Sequence, residues 1–222
     1  RTIMSSIGIA IGMAIMIPGT FSVGALDYVM EVNFQRAQRD DATVYFTRAI
    51  GTRVLAELES MEGVLRAEPM RDVAVRLRNG HRSYETGLQG LPGDGELRQL
   101  LDGELERVAV PRSGVLLTDE LGRRLGVEVG DSLHVEILEG EARTERVVVA
   151  GLVDELVGLN AYADVRTVNA LMGEGRLVSG ARLLLDPAYE ENVYLELKRS
   201  PGVAVVSLRT AAYEVCMQTS GG

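Results

Sequence analysis

No charged side chain occurs between Thr2 and Leu26, and that run constrains the surroundings of this chain more than any other feature. Residues 3–17 read Ile-Met-Ser-Ser-Ile-Gly-Ile-Ala-Ile-Gly-Met-Ala-Ile-Met-Ile, apolar or small throughout. About 20 such residues cross the hydrocarbon core of a bilayer as a helix. A helix lying on a soluble domain would show a polar face at the 3.6-residue period, and this run has none. The segment therefore reads as a membrane helix, with Pro18-Gly19 late in its span, where neighbouring helices can satisfy the freed carbonyl. Arg1 precedes the span and Asp27 and Glu31 follow it, which keeps the positive end in the cytoplasm and puts the remainder outside. Tyr28, Val29, Val32, Phe34 and Ala37 continue an apolar stripe, so the helix is expected to project past the bilayer to about Arg39. A signal peptide cleaved after Ala25 is the competing reading. The length of the apolar run favours an uncleaved helix.

The rest of the chain carries enough apolar material for a packed core: 46% of the 222 residues are hydrophobic and 25% charged. Formal net charge is -9, Lys198 is the only lysine, and the arginines alternate with acidic residues. A nucleic-acid face needs clustered positive charge, so nucleic acid is excluded as a partner. Cys216 is the only cysteine and forms no internal disulfide. It stands either as an inert terminal thiol or as one that meets a partner thiol.

An internal repeat organises the outer part. Residues 42–46 read as a strand, 52–61 as an amphipathic helix, and 64–68 as a strand after Glu62-Gly63. Residues 181–185, 189–199 and 203–206 repeat that order, with Pro201-Gly202 before the last strand. Gly-Val stands at both helix-to-strand turns, where Gly can adopt the left-handed conformation that ends a helix. Two such βαβ units pack into one split layer. Between them an inserted lobe is expected. It opens with a hairpin of residues 73–77 and 84–88 across Asn79-Gly80, followed by a short helix over 96–101. A helix capped by Thr118 and ended by Gly126 follows, then an alternating strand over 127–137 with its partner over 145–153, and a last helix over 165–172. A small β-barrel or curled sheet is the expected form of this lobe. The expected class is thus α+β: a transmembrane helix and its extension (residues 1–41), then a two-lobed extracytoplasmic domain. One lobe takes residues 42–72 and 181–210, the β-rich insertion takes 73–180, and 211–222 lead toward a second membrane helix.

Several stretches together resemble the periplasmic core domain of the FtsX-like permease superfamily, with its macrolide-exporter (MacB-like) and lipoprotein-releasing members. They are Pro111-Arg112-Ser113-Gly114-Val115-Leu116-Leu117-Thr118, Leu125-Gly126-Val127-Glu128-Val129-Gly130-Asp131, Val149-Ala150-Gly151-Leu152-Val153-Asp154-Glu155 and Asn160-Ala161-Tyr162-Ala163-Asp164. Their order and spacing carry the resemblance, which extends to the leading helix. It implies an ABC-transporter permease of the bacterial inner membrane, dimerised with itself or a homologue over ATP-binding cassette subunits. It also implies a porter-like lobe built from the two βαβ units, contact with membrane lipid, and an extracytoplasmic adaptor or carrier protein as a further partner. The implied role is export or membrane extraction of a hydrophobic or amphipathic cargo such as a lipoprotein, lipid, peptide or drug, by movements that ATP hydrolysis drives on the partner subunits. Two readings from other classes stand beside it: a secreted binding or adaptor protein, and a regulator of a cell-wall hydrolase.

No constellation in the sequence carries catalytic chemistry, so no catalytic, cofactor or metal residues are assigned. His81 and His134 have no Cys or second His at metal-ligand spacing. Asp40-Asp41, Asp154-Glu155 and Glu190-Glu191 read as solvated charge or turn residues. Ser113-Gly114 lacks the flanking Gly of a nucleophile elbow, and no Gly-rich phosphate loop ending in Lys and Ser or Thr is present. The one candidate functional feature is a helix-packing face at Gly8 and Gly12, a small-xxx-small pair that lets a second helix approach closely. Gly8→Leu or Gly12→Leu should cost on the order of 1–3 kcal/mol of interface packing and reduce transport-coupled ATPase activity in reconstituted membranes, leaving the outer domain folded. Full assembly with unchanged stimulation would show that this face meets only lipid.

Overall fold

A computed structural model describes residues 37–140, 143–155 and 158–209. The proposed membrane helix with Gly8 and Gly12, and Cys216, lie outside the described residues. Among the described residues no helix is long and apolar enough to cross a membrane.

The strands are β1 (Ala42–Gly51), β2 (Val64–Asn79), β3 (Arg82–Leu91), β4 (Leu100–Leu101), β5 (Arg107–Val108), β6 (Val115–Thr118), β7 (Ser132–Ile137), β8 (Thr144–Val153), β9 (Ala161–Asp164), β10 (Leu177–Leu185) and β11 (Val203–Leu208). The helices are α1 (Arg53–Glu59), α2 (Asp119–Leu125), α3 (Val165–Met172) and α4 (Glu190–Arg199). Nine strands form one sheet in the order β11-β1-β10-β2-β3-β9-β6-β8-β7, and β7 pairs again with β2. That second pairing closes β2, β3, β9, β6, β8 and β7 into a barrel, leaving β11-β1-β10-β2 as an open antiparallel sheet. The molecule is mixed α+β.

The open sheet is the meeting of the two βαβ units, β1-α1-β2 and β10-α4-β11. Strand alternation sets its core: Ala42, Val44, Phe46, Ala67, Ala181, Leu183 and Leu185 turn to one face, where Leu58 of α1 and Val193 and Leu197 of α4 cover them. Glu190 and Glu191 lie in the first turn of α4 and Lys198 and Arg199 in its last, each sign at the end the helix dipole favours. Gly63, before β2, has φ +93, a conformation in which a side chain would be strained. The matching Gly202 does not adopt a positive φ, so the repeat is one of chain order rather than of turn geometry.

Inside the barrel, Val73, Val75 and Leu77 of β2 meet Leu88, Val115, Leu117, Leu133, Val135, Ile137, Val149 and Ala161 in one dry core. Leu121 and Leu125 of α2 and Val168 and Leu171 of α3 join it. Outside, Arg76 joins three strands by pairing with Glu85 on β3 and Glu136 on β7. Gly126 ends α2 at φ 64 in the left-handed region.

Several expectations need correction. Residues 64–68 and 73–77 are not separate strands: β2 runs unbroken through both lobes, pairing with β10 up to Met70 and with β3 from Arg71. No helix forms over 96–101. The amides of Glu96 and Leu97 are instead taken by the Glu68 carboxylate, and Leu100 and Leu101 pair with β5. Thr118 stands at the N-cap of α2, yet its hydroxyl accepts from the Asn160 amide instead of capping the helix. The expected helical extension up to residue 36 lies outside the described residues, and Gln38 forms a β-bridge with Arg98.

Leu117 is fully buried at the centre of the barrel. Leu117→Ala should therefore cost about 2–5 kcal/mol in urea unfolding, a transfer loss plus a cavity. Val205, 55% exposed on the outer strand, should change stability by less than about 0.5 kcal/mol when replaced by Ala.

Candidate functional site

The place where the two lobes and the incoming chain meet concentrates the buried charge of this molecule. Alternation along the strands decides which residues arrive there. The helix-free face of the open sheet carries Thr43, Arg182 and Glu68 in register across β1, β10 and β2. A polar row on the face opposite the helices is normal for a two-layer lobe. Here the loop between β3 and β4 folds over it. Leu97 accepts from the Arg39 amide at 2.8 Å, and the Gln99 amide donates to Ala37 at 2.9 Å. The loop is thereby hung between the incoming strand and Glu68, which is only 5% exposed.

Asp41 then fastens the incoming chain to the outgoing one. Its Oδ1 accepts from Arg209 Nη2 at 2.9 Å, and its Oδ2 accepts from the Leu185 amide at 2.9 Å. Its backbone also pairs with both neighbours, donating to Leu183 and accepting from Arg209. Residues entering β1 and leaving β11 are thus clasped by one carboxylate at the same edge of the sheet. Asp40-Asp41, read from sequence as solvated charge, is not that: Asp40 is 7% exposed and its Oδ2 accepts from Thr43 at 2.8 Å.

At the change of partner along β2, polar groups stitch the lobes. The Ser179 hydroxyl accepts from the Asp72 amide at 2.9 Å and donates to Met70 at 3.3 Å. Arg71, 4% exposed, donates to Glu174 at 2.8 Å. Beside it a cavity of about 330 Å³ is lined by Gln38, Asp40, Tyr45, Asp72, Arg98 and Arg182, among others. Burial holds the Arg182 guanidinium below its usual range, with Asp72 and Asp40 opposing that shift. Burial also raises the Asp72 carboxyl, against the pull of Arg182 and a hydrogen bond from the Gly90 backbone. The Tyr45 hydroxyl is raised as well, by burial first and then by Asp72.

Asp154-Glu155 is resolved by the fold. Glu155 accepts from the Tyr162 hydroxyl at 2.8 and 2.9 Å and from Asn160 at 3.0 Å, a structural role under the barrel. Burial, followed by the charge of Glu155, pushes the Tyr162 hydroxyl well up, with Arg98 opposing. His81 and His134 are both exposed, on the β2–β3 turn and on β7. No cluster of His, Cys, Asp and Glu suited to a metal ion occurs among the described residues. Sequence reading missed the junction, because its members come from four separate stretches and show no motif. A buried arginine on a strand flanked by Ala181 and Leu183 was the one signal present.

The fold has known counterparts. The periplasmic region of MacB from Actinobacillus actinomycetemcomitans superposes with TM-score 0.54 at 13% identity, covering 85% of this chain and 97% of that one. The extracellular domain of the noncanonic ABC-type transporter YknZ from Gram-positive bacteria gives TM-score 0.49 at 12% identity, over 69% of this chain and 87% of that one. No protein-family model matches the chain, and no curated protein matches it in sequence. At 13% identity the likeness to the MacB region is one of fold.

Asp41→Ala should cost about 1–2 kcal/mol in urea unfolding, because a strand amide and an arginine lose their acceptor. Asp41→Asn keeps a carbonyl oxygen for the Leu185 amide and should lose less than half as much.

Proposed function

We propose that this chain is the non-catalytic permease subunit of an ABC transporter. Its extracytoplasmic domain would couple ATP hydrolysis on partner subunits to export or membrane extraction of a hydrophobic or amphipathic cargo. The observation that carries this reading is the clasp at Asp41. The chain comes in at residues 37–41 and goes out at Arg209 on one edge of one sheet. Any displacement of the segments preceding and following the domain is delivered to β1 and β11 together. β2 then carries it without a break from the open sheet into the barrel. Ladders of this kind transmit rigid-body movement, as a coupling element requires.

The fold likeness to the MacB periplasmic region supports the same reading, as does the uncharged run from Thr2 to Leu26, which would anchor the domain in the membrane. The bulk of the chain then lies on the extracytoplasmic side of the bacterial inner membrane. The partners are an ATP-binding cassette subunit, a second permease chain, membrane lipid and an extracytoplasmic adaptor or carrier protein. No cofactor is required, since the chemistry occurs on the ATPase.

Affinity purification of the full-length protein from native membranes should bring down an ATP-binding cassette ATPase. In the reconstituted complex, Asp41→Ala should reduce the coupling of ATPase activity to transport several-fold while complex assembly is retained. Recovery of a mature chain beginning at Leu26, with no ATPase bound, would overturn the permease reading in favour of a secreted protein.

A further inference from the structure

The cavity at the lobe junction is lined by charged side chains that the described residues satisfy only in part. Asp40 Oδ1, Asp72 Oδ1, Arg98 Nη1 and Arg182 Nη1 are all buried and have no hydrogen-bond partner among the described residues. The ion pairs of the described residues leave all four side chains out. Asp40 and Arg182 are 7% and 8% exposed, and Asp72 and Arg98 are half-buried beside them. Asp40 Oδ2 is already taken by Thr43 and Asp72 accepts from the Gly90 backbone, so it is the remaining atom of each group that lacks a partner, and buried polar atoms left so are costly and rare.

The four groups define what could satisfy them. Two guanidinium donors demand an anionic oxygen, and two carboxylates demand a cationic donor. A simple anion would answer Arg98 and Arg182 while adding repulsion at Asp40 and Asp72, and a simple cation would do the reverse. A molecule bearing both charges a few atoms apart answers all four. The cavity of about 330 Å³ lies at the lower end of the ~300–1,000 Å³ range of small-molecule sites. Its neutral lining includes Gln38, Gln89, Thr43 and the Tyr45 hydroxyl, which supply further donors and acceptors.

We propose that the junction cavity is a binding site for a small zwitterionic group, its ammonium held by Asp40 and Asp72 and its anionic oxygens by Arg98 and Arg182. Two sources present that chemistry, a free α-amino acid and the headgroup of an ethanolamine lipid. Because the site joins the incoming segment, the open sheet and the barrel-side loop, an occupant would brace the two lobes in one relative position. The proposal does not rest on the transport reading, because binding is read on the chain alone.

The test is isothermal titration of the full-length chain in detergent with L-alanine, phosphoethanolamine, acetate and methylammonium. Saturable binding of L-alanine or phosphoethanolamine, at least tenfold tighter than acetate or methylammonium, is expected. If the lipid headgroup is the source, phosphoethanolamine binds more tightly than L-alanine, and mixed micelles containing phosphatidylethanolamine abolish the L-alanine signal. If the free amino acid is the source, the order reverses and the lipid has no effect. Asp72→Asn and Arg182→Gln should each weaken the favoured zwitterion about tenfold or more, as expected for loss of a charged hydrogen bond. Absence of saturable binding of both zwitterions at millimolar concentration overturns the proposal and leaves water as the occupant. So does equal binding of the single-charge probes, or unaltered affinity in folded variants.

Discussion

The unbroken run of β2 is the constraint on which the remaining architecture depends. A strand offers two ladders of backbone groups, and each must find a partner where it is buried. β2 meets this requirement differently along its length. Up to Met70 it pairs with β10, and from Arg71 it pairs with β3 and then also with β7. The first arrangement makes it a member of an open, helix-backed sheet. The second makes it the staple that closes a barrel. Because one strand does both, the lobes share a backbone segment, and neither can rotate freely without disturbing hydrogen bonds of the other. β10 strengthens the link by bringing the chain from α3 back across the same junction, with Ser179 bonding to Met70 and Asp72 on either side of the changeover.

This geometry also explains where the polar residues accumulate. Each lobe has its own apolar core, one under α1 and α4 and one inside the barrel. A third, smaller apolar cluster of Leu91, Leu100, Leu116, Val153 and Tyr162 lies at the ends of the β3–β4 loop, and beside it the helix-free face of the open sheet must be covered. The loop between β3 and β4 does this through hydrogen bonds from and to its backbone with Ala37, Arg39 and Glu68, and by burying Leu97. The consequence is a junction rich in directional bonds.

Much of this fold was legible in the sequence, and the reasons for success and failure are physical. Alternation in residues 73–77 and 145–153 reported strands because one face of each is truly dry. The order strand, helix, Gly-Val, strand reported the units that share the open sheet because each unit buries a single face. Asn79-Gly80 reported a turn because β2 and β3 there continue in register down to Asn79 and Arg82. The failures share a cause as well. The 96–101 stretch has a helical pattern of apolar residues, yet Glu68, distant in sequence, takes the amides that would open a helix. Asp40 looked solvated because nothing local reveals that a loop sixty residues later will cover it. The site was invisible for the same reason: Asp40, Asp72, Arg98 and Arg182 are each unremarkable in their own stretch, and only tertiary placement makes them a cluster.

A coupling role and a buried polar cluster are usually argued separately, but here each bears on the other. A purely rigid connection would pass displacement from β1 and β11 into the barrel at fixed ratio, with no means of holding one state over another. A purely soft one would absorb it. The described residues combine stiff ladders along β2 with a buried, charged junction. Burial displaces Arg182 and Asp72 in opposite directions, each toward its neutral form, and each is the other's largest electrostatic counterweight. Altering the separation of the lobes therefore changes the energy of this pair more than that of any exposed pair such as Glu120 and Arg123, which solvent screens. The electrostatic energy of the junction thus depends on the relative position of the lobes. A bound molecule or a lost charge there would bias the position of everything attached to β2.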